Sequence, residues 1–187
     1  CTVAELQTMK TACEVDKPFD NFLNNVQLHD LVVTSPLRVA KGDQTLEGLY
    51  VQDQGGGAWS GIYVYMKGSG TALADLQPGA VVDVLGNAKE YYCLTEVEAT
   101  VVTASEETTP PVVLTVTPEQ IAESASIETV EPFESVLVRL ENVYVSNPVA
   151  NGTDGQPHGD IFVGANAELE QVRVSGAFGL YMTNYDK

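Results

Sequence analysis

The chain has 187 residues, of which 44% are hydrophobic, so it can bury a proper core in one large domain or two small ones. Its 26 acidic and 9 basic residues give a formal net charge of −17, which repels phosphate backbones. This balance argues against nucleic-acid binding in general, and we expect no double-stranded nucleic acid as a partner, because such binding depends mainly on clustered Lys and Arg. The apolar runs are far shorter than the roughly 20 residues that a membrane-spanning helix needs, so we expect no transmembrane segment.

The first forty residues predict one short helix and one long strand. Thr2 can cap a helix whose apolar side chains recur at helical spacing as far as Lys10. Apolar and polar residues then alternate over 26–39, which predicts a strand. Pro36 predicts a bulge or an edge within that strand, because proline cannot donate to a ladder of hydrogen bonds.

The next sixty residues predict four more strands. Two β-rich runs at 46–53 and 59–66 are joined by the Gly-rich stretch 54–58, which is typical of a hairpin. A turn signature at 76–79 precedes a strand, a bend and another strand over 80–102. Residues 1–103 are therefore expected to form an all-β domain of five strands with an N-terminal helix.

A polar, charged and proline-ended stretch at 104–111 predicts a linker to a second β-rich unit at 112–187. The elements predicted in that unit are a strand at 112–116, a short helix at 117–123, a long strand at 133–145 and short strands at 161–163 and 171–174. The long strand repeats the pattern that precedes Lys41, which indicates a weak internal repeat. Because strands are few, the unit is either an incomplete second barrel or an addition to the first sheet.

Six short motifs resemble a known family. They are LYVQD at 49–53, GGAWSGIYVY at 56–65, PG at 78–79, VDVLG at 82–86, EYYCLTE at 90–96 and PFESVLV at 132–138. Together, over roughly residues 26 to 145, they resemble the OB-like domain of bacterial extracellular nucleases and surface lipoproteins. The resemblance implies an OB-like Greek-key barrel, and with the internal repeat the expected fold is all-β, a barrel with short helices followed by a second OB-like unit that is complete or incomplete. No nuclease catalytic domain is implied, and Cys93 stands where the family tends to have Gly.

Aromatic residues are the first candidates for a binding surface, since OB folds bind oligonucleotides or saccharides by stacking. The candidates are Trp59, Tyr50, Tyr63, Tyr65 and Tyr91. Tyr63 and Tyr65 share one face of their strand because alternate residues point to the same side. The alternative is plain core and cross-strand packing. Few basic residues accompany the rings, which favours a polysaccharide or a surface protein as partner over DNA.

Carboxylates and histidine offer little for catalysis. Glu96 and Glu98 are interpreted as part of a solvated face, because coincidental pairs are expected among so many acids. His29, Asp30 and Ser35 do not form a relay, because neighbouring residues of a strand point to opposite sides. We therefore expect a protein that is not an enzyme.

A Gly-rich loop at 151–160 offers oxygen ligands for calcium from Asn151, Asp154 and Asp160. The spacing does not match an EF-hand, so a solvated turn is the alternative. No other cofactor is expected. A zinc site is not indicated either, because the chain has no CxxC motif and its two histidines lie far apart in sequence.

The three cysteines bear on the compartment. A cysteine in the first position is what remains when a bacterial lipoprotein precursor is cut before its lipid-bearing residue, so Cys1 is a candidate for lipidation. Cys13 and Cys93 would then form one disulfide in an oxidising compartment. The alternative is an ordinary disulfide between Cys1 and Cys13. The favoured location is extracellular or on the outer-membrane surface, with membrane contact only through a lipid on Cys1.

These observations favour a non-catalytic, secreted or surface-anchored binding module for a polysaccharide or a surface protein. Two alternatives remain open. One is an accessory nucleic-acid-binding domain of a secreted nuclease, and the other is a structural spacer.

Overall fold

The computed structural model describes residues 1–9, 20–122, 124–151 and 157–175. The chain divides into two compact units. Unit 1 consists of Cys1–Leu114 and Phe133–Leu137, and unit 2 consists of Thr115–Pro132 and Val138–Lys187.

Unit 1 contains one helix and six strands. They are α1 (Val3–Met9), β1 (Asp20–Val33), β2 (Arg38–Lys41), β3 (Thr45–Asp53), β4 (Gly61–Lys67), β5 (Ala80–Tyr91) and β6 (Leu94–Thr108). The sheet order is β1-β5-β6-β4-β3-β2, and an additional pairing of β1 with β3 closes the sheet into a barrel. β4 and β6 run parallel, whereas the other paired strands run antiparallel. This closed Greek-key arrangement is the OB fold, so the predicted fold class is confirmed.

Alternation along the strands decides which side chains fill the barrel. In β4, Ile62 and Val64 are fully buried in the core, so Tyr63 between them points outward. Val3 and Leu6 of α1 belong to the same apolar cluster. The predicted helix cap is present, since Thr2 and Glu5 exchange side-chain and backbone hydrogen bonds of 2.8 and 3.1 Å.

The first long strand is interrupted where Pro36 predicts an irregularity. β1 ends at Val33 and β2 begins at Arg38. Across the gap, the Thr34 amide donates to the Tyr50 carbonyl at 2.9 Å, and the Tyr50 amide donates to the Ser35 hydroxyl at 2.9 Å. The segment between β1 and β2 is therefore hydrogen-bonded to β3 at Tyr50, one of the candidate aromatic residues.

The predicted linker at 104–111 differs from what is observed. β6 continues to Thr108 because its polar residues, although exposed, pair with the beginning of β5. Beyond the strand, the fully buried Gln52 donates from Nε2 to the Val112 carbonyl at 2.7 Å and accepts from the Leu137 amide at 3.3 Å. The polar stretch therefore belongs to unit 1 because its backbone pairs with β5 and because Gln52 binds the chain just beyond it. Apolar burial does not hold it there.

Unit 2 is built from short elements. They are β7 (Leu114–Val116), which begins on the last residue of unit 1, a 3-10 turn (Pro118–Gln120), α2 (Ile127–Val130), β8 (Val138–Leu140), β9 (Tyr144–Asn151), β10 (Pro157–Gly164) and β11 (Val172–Val174). β9, β10 and β11 form one antiparallel sheet, and β7 pairs with β8. Among the described residues, these strands do not close into a barrel. None of the described helices is long and apolar enough to cross a membrane.

The long strand predicted at 133–145 is wrong. Ser135 and Asn142 have φ values of 58° and 54°, in the left-handed region, and the backbone leaves the strand at both places. The stretch is divided into a 3-10 turn (Glu131–Phe133), β8 and the start of β9.

Candidate ligand-binding face

The outer surface of the barrel carries the candidate tyrosines in a row set by strand register. Tyr50 of β3 pairs with Tyr63 of β4, Tyr63 pairs with Glu96 of β6, and Glu96 pairs with Lys89 of β5. Paired residues project to the same side of a sheet. Two rings, one carboxyl group and one ammonium group are therefore neighbours.

A second row lies beside the first on the same surface. Arg38 of β2 pairs with Gly48 of β3, Gly48 pairs with Tyr65 of β4, and Tyr65 pairs with Glu98 of β6. We call the two rows together the tyrosine face.

Neighbouring rings of the tyrosine face contact one another. The Tyr50 and Tyr63 centroids are 5.0 Å apart with planes tilted by 51°, and the Tyr63 and Tyr65 centroids are 6.4 Å apart with planes 19° apart. Gly48 is required here, because a Cβ atom at this position would collide with the hydroxyl end of Tyr63. The glycine lets the Tyr63 ring lie down over β3.

Two adjoining grooves border these rings. The first has a volume of about 320 Å³ and is lined by Arg38, Ala40, Leu46, Tyr63, Tyr65, Tyr91, Leu94 and Glu96. The second has a volume of about 440 Å³ and is lined by Ala40, Lys41, Gly42, Asp43, Gln44, Leu46, Tyr65, Lys67 and Lys89. Volumes of this size are at the lower end of those that hold small ligands.

Every described Lys or Arg of unit 1 lines one of these grooves. They are Arg38, Lys41, Lys67 and Lys89, four of the nine basic residues in the chain. In a chain with 26 acidic residues, such clustering provides several positive charges beside the rings.

Lys89 and Lys67 are held by one carboxylate. Lys89 forms a salt bridge with Glu98, and Lys67 Nζ lies 2.6 Å from the other oxygen of Glu98. Lys89 Nζ also lies 3.1 Å from the Tyr65 hydroxyl oxygen and 5.7 Å from the centre of its ring. Burial lowers the pKa of Lys89, and the charge of Lys67 lowers it further.

Glu96 is buried, which corrects the interpretation of this carboxylate as part of a solvated face. Its exposed fraction is 6%, because Tyr63 and Lys89 cover it from both neighbouring strands. Burial raises the pKa of Glu96 to about 7, with a further increase from Glu90 and an opposing effect of Lys89. Near neutral pH this groove can hold either a carboxylic acid or a carboxylate.

The tyrosine hydroxyl groups of the face stay protonated at neutral pH. Burial raises the pKa values of Tyr50, Tyr63 and Tyr65, and the nearby Glu96 charge raises them further. The face therefore offers neutral rings with polar hydroxyl ends, a surface suited to stacking.

Four of the five predicted aromatic residues lie together. Tyr63, Tyr65 and Tyr91 line the first groove, and Tyr50 contacts Tyr63. Trp59 lies elsewhere, in the turn between β3 and β4, where it is half-buried with a φ of 66° and does not line either groove.

The sequence does not single out Arg38 and Glu96 as members of the groove. Arg38 lies on β2, a short strand that the sequence predicts as the end of a longer one. Glu96 reaches the groove through the parallel pairing of β6 with β4. The only sequence signal for either residue is that it is polar and lies at an outward position of an alternating strand. That signal is shared by many residues that face solvent.

The predicted calcium ligands are not brought together in the part of the chain that the structure describes. Asp160 lies in β10, where Oδ2 is 3.4 Å from Arg173 Nη1. Asp154 and the side chain of Asn151 lie outside the described residues. No cluster of three or more possible ligands occurs among the described His, Cys, Asp and Glu. The calcium site stays a prediction.

The cysteines are placed as follows. Cys1 is exposed and its thiol is free, and Cys93 is disulfide-bonded. Cys13 lies outside the described residues. Its pairing with Cys93, the lipid on Cys1 and the extracellular location stay predictions.

Unit 1 is thus an OB-fold domain with a grooved aromatic face. No model of a known protein family matches the chain, and no curated protein matches it. Among solved structures, it is similar to the second single-stranded DNA-binding protein of Mycobacterium smegmatis, with 27% identity, a TM-score of 0.36, and coverage of 45% of this chain and 90% of that one. It is also similar to the second OB-fold domain of replication protein A from Methanococcus maripaludis, with 18% identity, a TM-score of 0.33, and coverage of 46% and 91%. The OB fold is assigned from the strand order of unit 1. These two similarities do not contribute to the assignment.

Proposed function

We propose that unit 1 is a non-catalytic binding module that holds single-stranded nucleic acid on the tyrosine face. The observation that carries the proposal is the arrangement of this surface, where stacked tyrosines lie among all the described basic residues of the unit. Bases stack on aromatic rings with little regard for sequence, and Lys or Arg beside the rings contact the phosphates.

The acidity of the chain limits the kind of nucleic acid that fits. A duplex hides its bases from the rings, so it would have to bind through its backbone to a protein with a net charge of −17. A single strand needs only a few phosphate contacts because stacking supplies part of the binding energy. The proposal therefore excludes double-stranded partners.

The test is a titration of the full chain with a fluorescein-labelled single strand of mixed sequence, followed by anisotropy. With four described basic residues lining the two grooves, the slope of log K against log salt should be about −3. A matched duplex should bind much more weakly. Absence of binding to the single strand at low salt would contradict the proposal.

A polysaccharide or a surface protein is the second candidate, and the acidic groups of the face favour it. Glu96 and Glu98 lie on the same side of β6 as the tyrosines, and carboxylates beside aromatic rings also suit sugar hydroxyl groups. A neutral glycan that displaces the labelled strand, or that binds when no strand binds, would support this candidate instead.

Gly48 gives a test of the role of ring placement. Replacing Gly48 with Ala should push the Tyr63 ring off β3, because the new Cβ atom collides with its hydroxyl end. We expect the affinity for the single strand to fall about fivefold or more, the effect of losing one stacked base. The same titration measures it. Gly55→Ala is the matched control, since no atom lies within 4 Å of a Cβ at that position, and equal losses in both variants would contradict the argument.

A further inference from the structure

The first groove contains a largely buried carboxyl group to which none of the described residues donates a hydrogen bond. Glu96 is 6% exposed and lines this groove. Within the described residues its carboxylate accepts no hydrogen bond. By contrast, the buried carboxylate of Glu47 accepts from the Gly70 amide and from the amide and hydroxyl of Thr71. Glu96 lines the open groove, so a ligand there can supply donors to a carboxylate that accepts none from the described residues.

The other walls of the groove narrow the chemistry of that ligand. Tyr63 provides a flat apolar surface beside the largely buried Tyr65 ring, and Arg38 lines the same groove. Glu96 is the strand partner of Tyr63, and Arg38 lines the same groove, so a ring stacked on Tyr63 lies between a carboxylate and a guanidinium group. The ligand that satisfies all of them is a flat ring with paired N–H donors on one edge and acceptors on another.

Guanine has this pattern among the four standard bases. Its Watson–Crick edge presents N1–H and an N2 amino group side by side, and its O6 and N7 atoms accept from arginine. Adenine and cytosine present an acceptor next to their amino group, and thymine presents one N–H between two carbonyl oxygens. A carboxylate therefore pairs twice with guanine and at best once with the others.

We propose that Glu96 is the specificity-determining residue of the tyrosine face and that it selects guanine within a single strand. The carboxylate accepts hydrogen bonds from N1–H and N2–H while Arg38 donates to O6 and N7. This inference rests on the proposed function and adds base selection to it.

The test compares oligomers of about nine nucleotides, within the range that one OB fold covers. Each is a run of thymidines with one central guanosine, inosine, adenosine or thymidine. Wild-type protein should prefer guanosine over adenosine by on the order of tenfold, with inosine, which lacks the N2 amino group, in between. Glu96→Gln should reduce the preference to about twofold or less while binding of the all-thymidine strand persists. Glu107→Gln, an exposed carboxylate at the end of β6, should keep the full preference.

The outcomes separate this inference from the proposed function. Wild-type protein that binds all four oligomers equally, or a preference that survives in Glu96→Gln, would overturn the role of Glu96 while single-strand binding stands. Absence of binding to every oligomer would overturn both. Trp59 fluorescence reports whether each variant is folded, and Glu96→Asp, which withdraws the carboxylate by one methylene, is the second variant and should also lose preference.

Discussion

Replacing Tyr63 and Tyr65 together with alanine is expected to weaken single-strand binding about fivefold or more, because a base stacked on Tyr63 contributes roughly 1–3 kcal/mol and the buried Tyr65 ring packs beside Tyr63. Both rings line the first groove, and they are nearly parallel, at 19°. Anisotropy titration with the same labelled strand measures the loss.

A loss of folding could imitate this result, because Tyr65 is only 7% exposed and its hydroxyl group contacts Lys89. Leucine at both positions is therefore the second variant, since it retains apolar bulk without a π-face. Tyr144→Ala changes a tyrosine of unit 2 that is 58% exposed, and it should leave affinity unchanged. Full affinity in the leucine variant would show that stacking is not the source of binding.

Raising the pH from about 5 to about 8 is expected to destabilise unit 1 through Glu96 by about 2.5 kcal/mol. Burial raises the pKa of this carboxyl group from 4.5 to about 7 in the folded protein. Between these two values the folded state holds a proton that the unfolded state has lost, so stability falls as the pH rises. The contribution is fully present below about pH 4.5 and is lost once the pH passes about 7.

The comparison that isolates this group is wild type against Glu96→Gln, because the other carboxyl groups are common to both. Urea unfolding followed by Trp59, the only tryptophan in the chain and a residue of unit 1, gives the free energy of unfolding. The variant should gain stability relative to wild type as the pH rises. Glu107→Gln should show no such gain, and a constant difference between wild type and Glu96→Gln across this range would mean that Glu96 ionises normally.

Local patterns predicted the hairpin and its tyrosines well. The Gly-rich stretch between two alternating runs became the β3–β4 connection, and Tyr50 and Tyr63 are direct partners across it. Alternation also placed Tyr63 and Tyr65 on one side because Ile62 and Val64 are needed in the core. Such patterns are readable because they involve neighbours in sequence.

The rest of the face depends on pairings between distant segments. Glu96 meets Tyr63 only because β6 lies parallel to β4, with β5 between them in the chain. A strand has the same alternating sequence pattern whether its polar side faces water or a groove. The pattern therefore predicts a solvated Glu96, although the residue is buried. Likewise, the polar residues before Thr108 looked like a linker although their backbone completes a ladder with β5.

The most direct test of the account is where a single strand contacts the protein. Two-dimensional NMR of this 20.0 kDa chain, with assigned backbone amides, would be recorded during addition of an unlabelled strand that contains guanosine. We predict that the largest shifts occur on β3, β4 and β6 around Tyr50, Tyr63 and Glu96. Shifts confined to unit 2, or no shifts at a concentration that saturates the anisotropy titration, would contradict binding on the tyrosine face.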